Sequence, residues 1–253
     1  MKFIFLIPVI LLLFIAGCSS GVDTANMTAA DRLAYAEKLY NDEDYLEALN
    51  ELQALLLQYP GTSISDEAQF YLAKTRFARQ EYIMSAFEFS KLIKNMPASK
   101  FVPESQYMLA ECYFELSPDY NLDQKYTKKA IQEYQAFIDF FPSNERVADA
   151  EKKIAELNDK LAKKDFSIAE IYEKLDDNKA AILYYDEIID TYHDTPYAPM
   201  AMYNKIKVLV ERNQNNQALA EIDKFIEKYP DNKNIDELKD LKTKLENRLS
   251  SSK

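Results

Sequence analysis

Four prolines set the frame of this chain. Counting back 12, 8, 5 and 1 residues from Pro60 gives Ala48, Leu52, Leu55 and Tyr59, and from Pro97 it gives Ser85, Phe89, Leu92 and Met96. The same offsets from Pro142 give Ala130, Tyr134, Phe137 and Phe141, and from Pro230 they give Ala218, Ile222, Phe225 and Tyr229. A fifth set, Ala181, Tyr185, Ile188 and Tyr192, ends on His193 where the others have proline. The steps of 4, 3 and 4 residues are those of one face of an α-helix. The small residue lets a neighbouring helix come close and the large ones fill the space between helices. Proline then ends the helix, because it lacks an N–H and disfavours the α conformation of the residue before it. A further helix precedes each of these, and in three sets it carries its own small residue 12 positions earlier: Ala36, Ala73 and Ala169. Polar turns such as Asn41-Asp42-Glu43-Asp44 and Arg79-Gln80-Glu81 join the two helices.

Helix pairs in register are similar to tetratricopeptide repeats, whose standard period is about 34 residues. The expected fold is all-α: a solenoid of about five such pairs, at residues 28–60, 65–97, 102–142, 147–193 and 196–230. A stripe of Ile235, Leu238, Leu241, Leu245 and Leu249 predicts a capping helix over 234–250, which the last repeat needs to cover its apolar face. Pro60 to Pro97 and His193 to Pro230 are both 37 residues, but two steps are longer. Pro97 to Pro142 holds eight extra residues around 117–124, a loop expected to project from one end of the stack. Pro142 to His193 contains no Pro or Gly between 143 and 192, which predicts one long helix over about 147–173, with Lys153 on its exposed side.

The N-terminus points to export. After Lys2, residues 3–16 are apolar throughout, too short for the roughly 20 residues of a membrane-spanning helix. A positive start, a short apolar core and a small-residue processing site describe a signal peptide over 1–17. Its end, Ile15-Ala16-Gly17-Cys18, resembles a lipobox, which implies cleavage before Cys18 and acylation of that cysteine with chains such as palmitate. Three acyl chains make a stable anchor where one does not. By resemblance to enteric lipoproteins, Ser19 implies sorting to the outer membrane. Residues 18–27 read as a lipidated flexible tether and 28–253 as the repeat domain.

Several chemistries are disfavoured. With three glycines in the chain, a phosphate-cradling loop is not available, and with one histidine, His193, neither is a paired-histidine zinc motif. Cys112 sits in an apolar helical run and reads as a buried free thiol. No catalytic residue, metal ligand or cofactor is therefore expected, and the chain reads as a binding scaffold. The net charge of −11, or −12 once Lys2 is removed, argues against nucleic acid and against a broad dock on anionic lipid.

Function then falls to the surface formed by the first helix of each pair. Three positions before its small residue stand Leu33, Phe70, Tyr107 and Phe166, and four after it Tyr40, Phe77, Phe114 and Glu173. Aromatic residues there are suited to hold a peptide. Residues 157–172 (LNDKLAKKDFSIAEIY) and residues 117–147, with Leu122-Asp123-Gln124 and Lys129-Ala130-Ile131, resemble repeats four and three of the BamD family. These are the tetratricopeptide lipoproteins of the outer-membrane β-barrel assembly machinery. The resemblance implies a lipoprotein in the cell outer membrane, facing the periplasm and anchored through Cys18. It also implies docking, through the C-terminal repeats, on the barrel-inserting outer-membrane protein and other machinery subunits. Unfolded outer-membrane protein precursors would bind the N-terminal repeats. The partner-binding set expected is Leu33, Phe70, Phe77, Tyr107, Phe114, Phe166 and Tyr184. Tyr184 stands where the family implies a basic docking residue, and no Lys or Arg occurs from 180 to 192. The alternative reading is another periplasmic tetratricopeptide lipoprotein coordinating envelope or peptidoglycan synthesis.

Overall fold

The computed structural model describes residue 24 and residues 26–251. The signal peptide, Cys18 and most of the tether lie outside these residues. Among the described residues eleven helices follow one another and no strand occurs. They are α1 (Ala29–Asn41), α2 (Tyr45–Gln58), α3 (Ser65–Ala78), α4 (Tyr82–Asn95), α5 (Val102–Glu115), α6 (Lys125–Phe140), α7 (Val147–Lys174), α8 (Asn178–Thr191), α9 (Tyr197–Glu211), α10 (Asn215–Lys228) and α11 (Ile235–Ser251). Each packs on its neighbours in sequence, as in a solenoid. The first helices of adjacent pairs also meet, α1 with α3 and α7 with α9, whereas no two second helices approach comparably. The first helices therefore lie on the inside of the curve and the second helices on the outside.

The small positions explain why the pairs close. Ala48, Ala130, Ala181 and Ala218 on the second helices, and Ala36, Ala73 and Ala169 on the first, are all fully buried. Ser85, the one polar residue in the series, donates its hydroxyl to the carbonyl of Ala73 at 2.8 Å. Repeat three uses Ala110, also fully buried, at the place that the eight-residue insertion hides from a count of 12. Repeat five has Ile206 there instead, packed into the cluster that α11 covers with Leu238 and Leu245.

Four turns share one backbone device. Glu43, Gln80, Asp176 and Asn213 have φ of +64°, +61°, +59° and +56°. In each, the next residue's N–H reaches back to a carbonyl five residues earlier: Asp44 to Leu39, Glu81 to Arg76, Asp177 to Tyr172 and Gln214 to Leu209, all at 2.8–2.9 Å. This bond ends a helix in the Schellman manner, which favours glycine at the left-handed residue. Here four side-chain-bearing residues hold it.

Two features of the middle of the chain differ from expectation. The loop between α5 and α6 does not project. Gln124 Nε2 ties it together by donating to the carbonyls of Asp119 and Leu122. The loop then lies on α7: Lys160 Nζ donates to Ser117 Oγ at 2.9 Å, Lys164 Nζ to the Leu122 carbonyl at 2.6 Å, and Lys163 Nζ sits 4.3 Å from the centre of the Tyr120 ring. Nor is Lys153 free on the surface. It is half-buried, and its ammonium donates to both carboxylate oxygens of Glu111 at 2.6 and 2.7 Å.

Candidate protein-docking surfaces

The residues three before each small position, expected to face a partner, are closed off. Leu33, Phe70, Tyr107 and Phe166 are 5, 7, 4 and 7 % exposed. The cause is the residue that leads into the next first helix, which roofs each of them. Ile64 packs against the cluster holding Leu33. Phe101 lies on Phe70, with ring centres 4.7 Å apart and planes 17° from parallel. The Arg146 guanidinium lies 4.7 Å from the Tyr107 ring centre, while the Tyr107 hydroxyl donates to Asp149. Tyr197 covers Phe166 at 5.7 Å. The roofing residue follows by 31 positions in three repeats and by 39 in the repeat with the insertion. That regularity is visible in the sequence. Burying these large apolar side chains gives more than presenting them to water, so these four hold repeats together.

The row four after the small position is half-buried and more accessible. Tyr40 meets Tyr71 edge-on at 5.7 Å, and the Lys74 ammonium lies 5.0–5.5 Å from the ring centres of Tyr40, Phe70 and Tyr71. Glu37 and Glu67 stand beside them, and Lys100 pairs with Glu67 at 3.9 Å. Burial, then the charge of Glu67, raises the Glu37 carboxyl; burial, then Glu37 and Glu67, raises the Tyr71 hydroxyl. Phe77 is half-buried against Tyr82 at 5.2 Å. Phe114 is covered by Lys153, whose ammonium lies 4.5 Å from its ring centre. At the same place in repeat four Glu173 accepts from the Tyr185 hydroxyl at 2.9 Å, and burial raises its carboxyl. This row thus offers aromatic rings in repeats one to three, with Lys74 beside Tyr40 and Lys153 beside Phe114, and Glu173 in repeat four.

Tyr184 marks a different surface. At the matching place on the other second helices stands a glutamate that is held from a first helix. Glu51 accepts from Arg32 Nε at 2.6 Å, Glu88 and Glu133 accept from Gln69 and Gln106 at 2.8 Å, and Glu221 lies 3.3 Å from Lys205. Repeat four has Asp165 on the first helix and Tyr184 on the second, so no such bond forms. Tyr184 instead stacks on Tyr172, with ring centres 5.6 Å apart and planes 17° from parallel. Ile171 and Leu175 on α7, one and three residues from Tyr172, and Leu183 on α8, next to Tyr184, are 52, 69 and 68 % exposed. These three are not legible in the residues alone, because helical spacing does not say which side of α7 is covered. Beyond this corner, two shallow grooves of ≈ 450 and ≈ 490 Å³ flank the ion pairs of Lys205 with Asp186 and Glu221.

Comparison with known proteins adds to this geometry. A family profile described as YfiO, outer membrane lipoprotein, matches residues 25–216. The outer membrane protein assembly factor BamD of Rickettsia prowazekii is 27 % identical over 223 residues, which cover 87 % of this chain and 89 % of that protein. BamD of Caulobacter vibrioides is 25 % identical over 197 residues, covering 78 % of this chain and 62 % of its own length. Among solved structures, a tetratricopeptide protein of Thermus thermophilus is similar over 86 % of this chain and 98 % of its own. That match has 17 % identity and a TM-score of 0.37.

Proposed function

Because the chain belongs to the YfiO family of outer membrane lipoproteins, we propose that it is an assembly factor for outer-membrane proteins, anchored by lipid on Cys18 and facing the periplasm. It acts as a scaffold with two separate docking surfaces. The α7–α8 corner and the repeats beyond it hold the barrel-inserting partner. The aromatic inner face of repeats one and two, around Tyr40, Tyr71, Lys74 and Phe77, receives unfolded precursors. The names of the matched relatives support the assembly role.

The corner of Ile171, Leu175, Leu183 and Tyr184 carries this reading. Large apolar side chains left exposed on neighbouring turns mark protein interaction sites, and tyrosine is favoured at the centre of such sites. Leu175→Asp with Leu183→Asp should abolish copurification of the barrel-inserting partner from detergent-extracted membranes. Leu122→Asp, at a 54 % exposed position in the loop between α5 and α6, should leave it intact. Circular dichroism must first show that all variants fold. Recovery of peptidoglycan enzymes in place of that partner would favour a different envelope role. For the anchor, the mature protein should have the mass of an acylated chain beginning at Cys18, and Cys18→Ala should accumulate unprocessed.

A further inference from the structure

The net charge of −11 is unevenly placed. On the outward faces of α2, α4 and α6 the exposed charged residues are Lys91, Lys94, Lys125 and Lys128 against Glu47 and Asp139. The other acids of these helices within repeats one to three are turned toward first helices: Glu51 to Arg32, Glu88 to Gln69 and Glu133 to Gln106. The same three helices carry Leu46, Leu57, Ile83, Met84, Phe87 and Phe140, six of the eleven large apolar side chains that are exposed among the described residues. Helix α4 concentrates the pattern. Ile83, Phe87, Ser90 and Lys94 follow at helical spacing with Met84 and Lys91 beside them; Ile83 and Phe87 are 58 and 60 % exposed. Its one acid, Glu88, is buried.

We propose that the outward face of the first three repeats, centred on α4, rests on the phospholipid surface in which the chain is anchored. This builds on the lipidation of Cys18. Apolar side chains with lysines beside them and no exposed acid among them make the pattern of a helix lying at a membrane interface. The lysines complement anionic headgroups. The reach of the chain supplies the rest. Ala29, which opens α1, follows Cys18 by eleven residues, so at about 3.5 Å per residue the first repeat cannot stand more than about 40 Å from the bilayer. That tether raises the effective concentration of the face at the surface, where even a weak contact is populated. The outward faces of α8 and α10 expose Lys179, Lys224 and Lys228 against Glu187, Asp190, Asp223 and Glu227. They lack the basic excess, so the C-terminal repeats stay clear of the lipid and the α7–α8 corner remains open to a partner.

The test uses the full lipidated chain in vesicles of phosphatidylethanolamine and phosphatidylglycerol, with a nitroxide on Ser90→Cys or, as a control on α10, on Gln217→Cys. Collisions with lipid-soluble oxygen are compared with those of a water-soluble nickel complex. The label at 90 should favour oxygen and the label at 217 nickel. Lys91→Gln with Lys94→Gln, or vesicles of phosphatidylcholine alone, should lower the lipid-contacting population at position 90 by roughly tenfold. Equal nickel access at 90 and 217 in vesicle-bound protein overturns the inference. So does a label at 90 shielded from both reagents in a protein of twice the expected mass, since a second copy then covers the face. Protein that does not stay with the vesicles overturns the anchor and this inference together.

Discussion

Phe101 lies flat on Phe70, ring centres 4.7 Å apart, so a ring placed by its spacing on the inner groove is roofed by the first residue of the next repeat's approach. Phe70 therefore serves stability. Phe70→Ala should cost about 3–5 kcal/mol in urea unfolding. Phe101→Ala, which removes a half-buried ring, should cost about 1–2 kcal/mol. A loss below about 1 kcal/mol for Phe70→Ala would show that the roof does not form.

Ala130 and Ala181 are fully buried between helices. Leucine at either should overpack the stack and cost about 1–3 kcal/mol. Lys152→Leu, on the exposed face of α7, is the suitable control, since Lys153 is paired with Glu111. Equal melting temperatures for Ala181→Leu and Lys152→Leu would contradict the packing described.

At Gln80, with φ +61°, a β-branched residue meets strain that glycine does not. Gln80→Val should lower stability by about 1–2 kcal/mol. Gln80→Gly should change it by less, because relief of strain offsets the greater freedom of the unfolded chain. Thermal melts of the two variants side by side decide it; a Val variant as stable as wild type would mean the turn relaxes out of the left-handed region.

Asp165 is half-buried on α7, and burial raises its carboxyl above the ordinary 3.8. Glu187 adds to the rise while Lys128 and Lys164 oppose it. The fold favours the protonated acid, so this contribution is present below the ordinary value and lost as pH rises through the folded one. Asp165→Asn should therefore raise the melting temperature at neutral pH and leave it nearly unchanged near pH 3. Tyr192 is pushed up to about 12 by burial, then by Asp165 and Glu187. Its contribution is intact below the ordinary 10 and lost as pH climbs toward 12. Tyr192→Phe should shift alkaline unfolding to higher pH, followed by circular dichroism. An unchanged midpoint would mean that Tyr192 is not coupled to unfolding.

What the sequence determined by itself is the local and periodic part of this protein. Proline stops, small residues at fixed offsets and apolar steps of 3 and 4 are properties of single helices, so five pairs, a long α7 and a capping α11 are legible in the residues alone. Ala110 is hidden only because an insertion shifts the count. Exposure was decided by tertiary structure. Whether Phe70 or Tyr107 faces a partner depends on Phe101, Arg146 and Asp149, residues that reach them only when the next repeat docks. Whether the 117–124 loop stands out depends on Lys160 and Lys164, which lie 43 and 42 residues beyond the atoms they hold. Periodicity specifies a helix face but not what covers it. Only the stacking of one repeat on the next roofs the predicted groove rings, leaves the apolar corner beside Tyr184 open, and gathers lysines and apolar residues on the outside of an acidic chain.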